Sequence, residues 1–158
     1  MNDPLLNIES LTASMRACRV CESHLALGPR PVFVLNPSAR ILIIGQAPGS
    51  KVHASGIPWD DPSGERLRDW MGLSRDEFYD PGNVAILPMG LCYPGTGKSG
   101  DLPPRPECAP LWHPPALTAL RNIRLTLLIG AYARERYLPD ADSLTEACLL
   151  YTSDAADE

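Results

Sequence analysis

The chain lacks the features of an exported or membrane-spanning protein. Residues 1–6 contain neither the basic start nor the apolar core of a signal peptide. The longest apolar stretch, around residues 125–133, is too short to cross a bilayer. An excess of basic residues is also lacking, because 14 Lys and Arg stand against 19 Asp and Glu. The net charge of −5 excludes a strongly cationic nucleic-acid binder but not a local basic face. We therefore expect a cytoplasmic protein with no membrane partner.

The length of 158 residues predicts a single domain with a sizeable core. Its 17 prolines are concentrated between Pro94 and Pro115, which predicts a long loop there rather than regular structure. Residues 148–158 resemble the conceptual translation of a sequencing adapter. We therefore expect the natural domain to occupy residues 1–147 of a chain that continues further, and residues 148–158 to be a non-native tail.

Helices and strands alternate along the sequence. Apolar runs typical of strands buried on both faces cover residues 40–44, 83–87 and 125–129. Helical signals cover about residues 8–17, the segment from the Asp61 N-cap and Pro62 to the stop at Gly72, one turn from a Ser74–Glu77 capping box, and the segment from Gly130 to about Tyr137. This alternation predicts an α/β fold with three α/β/α layers around a central parallel sheet.

The loops that follow the three strands are predicted to meet. In parallel sheets the ligand crevice lies beyond the carboxyl ends of the strands, which brings together residues 45–60, residues 88–100 and Gly130. In the first loop, Gly45 and Gly49 allow the backbone to approach a ligand closely, and Pro48 stiffens the turn. An ordinary tight turn also uses glycines at this spacing, so the pattern by itself is consistent with both interpretations.

Four cysteines are candidates for a metal site. Cys18 and Cys21 form a C-x-x-C pair, and Cys92 and Cys108 follow far downstream. In a reducing cytoplasm such a set is more typical of metal binding or catalysis than of disulfides, although ordinary buried thiols have the same composition. Spacing alone does not separate an iron–sulfur site from a zinc site of four cysteines.

The order of these signals resembles the iron–sulfur uracil-DNA glycosylases of the uracil-DNA glycosylase superfamily. The resemblance runs from about Leu11 to Tyr137 and rests on the cysteine pair, the strand and turn at residues 40–49, the segment 83–92 and the segment 107–111. It implies a monomeric enzyme that hydrolyses the N-glycosidic bond of uracil or a related damaged base in DNA. It also implies a glycosylase-like domain that lacks its last strand here.

The resemblance also implies roles for individual residues. A [4Fe–4S] cluster would be bound by the thiolates of Cys18, Cys21, Cys92 and Cys108, with zinc as the alternative. Trp59 would stack on the extruded base, which would also contact the turn through Gly45, Ala47, Pro48 and Gly49. Gln46 and Asp60 are the candidate catalytic residues, and Lys51 and Lys98 are the candidate phosphate contacts.

Three positions depart from the pattern of the family. Gln46 and Ala47 stand where related glycosylases carry acids, and a glutamine orients water but cannot act as a base. Asp60, beside Trp59, is the expected replacement. Pro88 aligns with the base-reading asparagine, and the family's His-Pro-Ser loop would lie beyond residue 147. These departures leave a second interpretation open, a catalytically silent DNA-binding or damage-sensing module.

Overall fold

The computed structural model describes residues 4–139, so the predicted tail lies outside the described range. The helices are α1 (Pro4–Arg16), α2 (Ser50–Ser55), α3 (Pro62–Met71), α4 (Arg75–Phe78), α5 (Cys108–Ala119) and α6 (Ala131–Tyr137). The strands are β1 (Ile41–Ile44), β2 (Val84–Ile86), β3 (Thr96–Gly97), β4 (Gly100–Asp101) and β5 (Leu125–Leu128). No helix in the described range is long and apolar enough to span a membrane.

A parallel sheet with strand order β2–β1–β5 forms the centre of the fold. β1 is the middle strand, and its Leu42 pairs with Ala85 on one side and Thr126 on the other. Leu42 and Ile44 belong to a core shared with α1, α5 and α6, whereas Ile43 belongs to a second core shared with α3 and α4. Helices therefore cover both faces of the sheet, which confirms the predicted three-layer α/β arrangement.

The helix ends in the middle of the chain follow the sequence signals. Asp61 caps α3, because its Oδ1 accepts a hydrogen bond of 2.8 Å from the N–H of Gly64. Gly72 ends the helix with φ of 70°, a left-handed conformation that favours glycine. Ser74 and Glu77 form the predicted capping box, with reciprocal side-chain to backbone bonds of 3.2 and 3.0 Å. These local contacts fix where α3 and α4 begin.

The prediction of one long loop in the proline-rich segment is wrong, because α5 begins at Cys108 and continues through Pro114 and Pro115. A proline inside a helix removes a hydrogen bond and costs about 3 kcal/mol or more. Both prolines are exposed, while Ala109, His113 and Ala116 form a buried face on the opposite side. Tertiary burial of that face offsets the local cost.

Two of the predicted loops also contain regular structure. The segment after β1 includes the short helix α2, which ends at Gly56 with φ of 74°. The guanidinium of Arg30 donates hydrogen bonds of 2.6 and 3.0 Å to the carbonyls of His53 and Ala54, and so supports the end of this helix. The segment after β2 folds into the β3–β4 hairpin. These elements form the sides of the crevice.

Candidate active site and cysteine cluster

The carboxyl ends of β1, β2 and β5 open onto one cavity of about 310 Å³. Each following loop contributes to its wall: the turn at residues 45–49, Pro88 and Gly130. The remaining lining residues come from the neighbouring loops and strands, and are Val32, Val52, Pro58, Trp59, Asp61, Ser63, Ile86, Asp101 and Ile129. The topology thus gathers residues more than 80 positions apart in sequence into one site.

The turn after β1 is held close to the aromatic wall of this cavity. A side chain at Gly45 would place its Cβ 3.0 Å from the ring of Trp59, so glycine permits the contact. The carbonyls of Gly45 and Gln46 accept hydrogen bonds of 2.9 Å each from the N–H groups of Met89 and Gly90. These bonds tie the turn to the loop after β2 and fix its position in the wall.

Trp59 has an unusual backbone conformation. Its φ is 60°, the left-handed region that β-carbon-bearing residues seldom occupy. The surrounding residues over-determine this conformation: Tyr79 donates a hydrogen bond of 2.8 Å to the carbonyl of Pro58, and Arg68 binds the carbonyl of Trp59 itself. On the other side, α3 packs so closely that a Cβ at Gly64 would lie 1.7 Å from the Trp59 oxygen. The fold therefore presents this half-buried indole to the cavity in one orientation.

The acidic residues of the Trp59 loop are engaged elsewhere. Asp60 is absent from the cavity wall, and its carboxylate pairs with Arg75 at 3.4 Å. Asp61 lines the cavity, but its Oδ1 accepts bonds from the Gly64 N–H and from Ser63 at 2.7 Å. Gln46, the other candidate catalytic residue, lines the cavity directly.

Sequence reasoning missed a further carboxylate that lines the cavity, Asp101. Asp101 lies on β4, one residue beyond the loop of residues 88–100 that the sequence assigned to the crevice. A β-hairpin brings it back toward the turn after β1, so that its Oδ2 lies 3.7 Å from the position a Cβ would take at Gly49. The glycines around Lys98 and Ser99 were a usable signal for such a hairpin.

The two candidate phosphate contacts flank this site without lining it. Lys51 is exposed on α2, immediately after the turn at residues 45–49. Lys98 is exposed between β3 and β4, at the tip of the hairpin that carries Asp101. Both side chains are open to solvent beside the cavity.

His113 supports the cavity wall from behind. It is fully buried, and its Nε2 lies 2.8 Å from the carbonyl of Pro88, which accepts the bond, so Nε2 carries the proton. Burial lowers the pKa of His113, which keeps the ring neutral, and Nδ1 then accepts from the hydroxyl of Tyr137. This histidine is a packing residue that fixes the start of the loop after β2.

The four cysteines line a second cavity, which shares no lining residue with the first. Its volume is about 20 Å³, and its other walls are largely apolar. The thiol sulfurs of Cys18 and Cys108 each accept an N–H hydrogen bond of 3.3 Å, from the Trp112 indole and the Leu91 backbone respectively. Such donors stabilise thiolate ligands. The tertiary structure thus gathers all four thiols around one space.

Burial disfavours the thiolate form of three of the four cysteines. Burial raises the pKa of Cys108 to about 12 and also raises the pKa of Cys92. The neighbouring cysteines raise both pKa values further. Burial and the neighbouring Glu107 also raise the pKa of Cys21. A bound metal inverts this balance by stabilising thiolates.

Four thiols around one apolar space are a donor set of the type that soft metals prefer. Within residues 4–139, no group of three or more His, Cys, Asp and Glu side chains lies in an arrangement that holds a metal ion as it stands. Nevertheless all four thiols face the same apolar space, with N–H donors to two of them. Thiolates in an apolar shell are the ligands preferred by iron–sulfur clusters and by structural zinc.

The fold and the first cavity define an α/β domain that binds its ligand beyond the carboxyl ends of a parallel sheet. A family model described as the uracil DNA glycosylase superfamily matches residues 32–154. The chain therefore belongs to the uracil DNA glycosylase superfamily, whose members are glycosylases that act on DNA. The matched range includes the cavity loops, two of the four cysteines and the first seven residues of the predicted tail.

Proposed function

We propose that the protein, with its natural carboxyl-terminal sequence, hydrolyses the N-glycosidic bond of uracil or a related damaged base in DNA. The observation that carries this proposal is the Trp59 ring fixed against Gly45 in the wall of the cavity. An extruded base needs an aromatic face and a pocket, which the Trp59 ring and the cavity of about 310 Å³ offer. The superfamily membership supports the same reaction class.

In this proposal the residues of the cavity have different roles. The base stacks on Trp59, while the backbone of Gly45, Ala47, Pro48 and Gly49 forms the floor beneath it. Gln46 orients the attacking water through its amide, because an amide binds water by hydrogen bonds without accepting its proton. Cleavage breaks the bond between C1′ and the base nitrogen, and the electron pair leaves with the base.

We further propose that Cys18, Cys21, Cys92 and Cys108 bind a [4Fe–4S] cluster, with zinc as the alternative. The cluster would link the segment after α1, the loop after β2 and α5, and so stabilise the fold without entering the reaction. Residues close to the cysteines have supporting roles: Trp112 donates to a ligand sulfur, and Arg105 holds Glu107 beside Cys21.

The activity is tested by measuring uracil release from single-stranded and double-stranded oligonucleotides by the full-length parent protein. We expect release by the unaltered protein and a loss of about 10-fold or more on Trp59→Ala, since stacking contributes about 1–3 kcal/mol per base. Trp70→Ala is the matched control, because Trp70 is 77% exposed and lies outside the cavity wall.

A second candidate function, a catalytically silent module that binds or senses damaged DNA, is favoured by one observation. The acids beside Trp59 are engaged by Arg75 and by the α3 cap, and Gln46 and Ala47 carry no ionisable group. Tight binding of uracil-containing DNA with no release of uracil, by a protein with its full carboxyl-terminal sequence, would establish this function instead.

We also propose that residues 148–158 are not native and that residues 1–147 alone do not excise uracil. The adapter-like sequence supports the first statement, and the position of β5 at the edge of the described sheet supports the second. Sequencing the parent gene through this region tests the first, and excision by residues 1–147 would contradict the second. The natural protein is proposed to act as a monomer in the cytoplasm, which size-exclusion chromatography and cell fractionation test.

A further inference from the structure

Asp101 is held at the mouth of the cavity by a short, well-defined hairpin. β4 pairs with β3 so that Asp101 lies opposite Thr96, and the N–H of Leu102 donates a bond of 2.8 Å to the carbonyl of Gly95. The Leu102 side chain folds across the hairpin, where a Cβ at Gly97 would lie 2.9 Å from it. The carboxylate therefore stands on a fixed element.

The position of Asp101 corresponds to the reacting end of a bound nucleotide. The cavity wall runs from buried Gly45, against Trp59, to half-buried Gly49, against Asp101. A base stacked on Trp59 occupies the inner end, whereas the deoxyribose connects it to the DNA outside. The sugar C1′ must therefore lie toward the mouth, beside Gly49 and Asp101.

Asp101 is also the less engaged of the two carboxylates in the cavity wall. Two carboxylates line the cavity within residues 4–139, Asp61 and Asp101, and the first is engaged as the cap of α3. Thr96 approaches Oδ1 of Asp101 at 3.5 Å, the limit of a hydrogen bond, and Oδ2 has no protein partner in the described range. A water molecule or a developing positive charge can bind there.

We propose that Asp101 is the catalytic carboxylate of this site, an inference that rests on the proposed glycosylase function. Its Oδ2 accepts a proton from the water whose oxygen bonds to C1′, as the bond from C1′ to the base nitrogen breaks. The base departs with the electron pair, and before departure the carboxylate stabilises the positive charge that develops on the sugar. Gln46, which also lines the cavity, orients the same water.

The test compares three isosteric variants of the full-length parent protein: Asp101→Asn, Asp60→Asn and Asp69→Asn. Asp69 is an exposed residue of α3 outside the cavity and is the matched control. Single-turnover excision is measured on a uracil-containing oligonucleotide. Binding is measured on the same oligonucleotide carrying 2′-fluoro-2′-deoxyuridine, which resists cleavage, and the thermal midpoint of each variant is recorded.

We expect Asp101→Asn to excise uracil about 100-fold more slowly with little change in binding, since general-base catalysis contributes about 10²–10⁴-fold. Excision by Asp101→Asn at the rate of Asp69→Asn overturns the inference while leaving the glycosylase function intact. Loss of excision in Asp60→Asn alone assigns the role to that residue instead. A parallel loss of binding and thermal stability in Asp101→Asn would show that Asp101 has a structural role and not a catalytic one. Absence of excision by the unaltered protein overturns the proposed function and this inference together.

Discussion

The guanidinium of Arg68 donates a hydrogen bond of 3.0 Å from Nη1 to the backbone carbonyl of Trp59. Arg68 is only 4% exposed, and no carboxylate pairs with it among the described residues. Its charge lies instead over the rings of Phe78 and Tyr79, at 5.3 and 5.4 Å from their centroids. Because a buried cation is costly unless it is hydrogen-bonded, the bonds from Arg68 to the Trp59 carbonyl and the Tyr79 hydroxyl hold it in this position.

Removal of this support is expected to weaken the cavity and the fold together. Arg68→Met leaves the Trp59 carbonyl without its donor, and loss of a buried partner costs about 1–3 kcal/mol of unfolding free energy. Tyr79→Phe removes the bond to Pro58 as well as the acceptor for Arg68, and is expected to act in the same direction. Urea denaturation, monitored by tryptophan fluorescence, measures the stability of both variants. The half-exposed Tyr132→Phe is the control, and equal stability of all three variants would contradict the interpretation.

Gly64→Ala is expected to destabilise the protein although it improves helix propensity. Alanine in a helix is favoured over glycine by about 1 kcal/mol. The added Cβ would lie 1.7 Å from the Trp59 carbonyl oxygen, so α3 must shift, and overpacking of this kind costs about 1–3 kcal/mol. The expected net result is a lower urea midpoint. The exposed Glu65→Ala, one position along the helix, is expected to change little; a stabilised Gly64→Ala protein would show that the helix moves freely.

Metal analysis tests the cysteine site. Protein isolated without oxygen is expected to contain roughly four iron atoms and four acid-labile sulfides per chain. Replacement of any one of Cys18, Cys21, Cys92 and Cys108 by serine should reduce this content and the thermal midpoint. Ser99→Ala, at an exposed position outside the cysteine cavity, is the control and should retain the cluster. Zinc without sulfide would support the alternative metal, and an unchanged metal content in all four variants would exclude the site.

The buried histidine gives stability a pH dependence of known sign. Burial lowers the pKa of folded His113 below its ordinary value of 6.5, so the unfolded chain binds the proton more readily. The corresponding stability is complete above about pH 6.5 and is lost as the pH falls toward the folded pKa. His113→Gln should therefore have a shallower loss of stability from about pH 6.5 to 5 than the unaltered protein. The exposed His24→Gln should retain the original slope; identical slopes in both variants would contradict this assignment.

Salt dependence tests the two lysines beside the cavity. Each lysine that neutralises a phosphate contributes roughly one unit to the slope of log affinity against log salt concentration. Lys51→Gln and Lys98→Gln should each reduce the slope by about one unit when binding of uracil-containing DNA is measured by fluorescence anisotropy. Arg121→Gln is the control, because this exposed residue lies outside the cavity. Slopes that match the control would show that neither lysine contacts phosphate.

The local features of the fold could be predicted because their causes lie within a few residues. The Asp61 cap, the Ser74 capping box and the strand at Ile41–Ile44 each depend on neighbouring side chains. The proline-rich start of α5 could not be predicted in this way. Its stability comes from burial of His113 and Ala116 against distant elements, which no local window contains.

The same distinction applies to the site. The residue types were apparent from sequence, including Gln46, the Trp59 aromatic and the four thiols. The sequence did not reveal the direction in which each acid points, because Asp60 and Asp61 are adjacent and equally acidic. A salt bridge from Arg75 takes the first out of the cavity, and only the return of the hairpin brings Asp101 to the mouth.

The sequence by itself determined the alternation of helices and strands, the parallel sheet and the residues available for chemistry. These depend on periodicity, caps and composition, which act over short distances along the chain. The tertiary structure alone decided that Cys18 meets Cys108 around one space, that Trp59 is fixed in a left-handed conformation, and that Asp101 reaches the cavity. Those outcomes depend on packing between segments far apart in sequence, where burial and steric fit outweigh local preference.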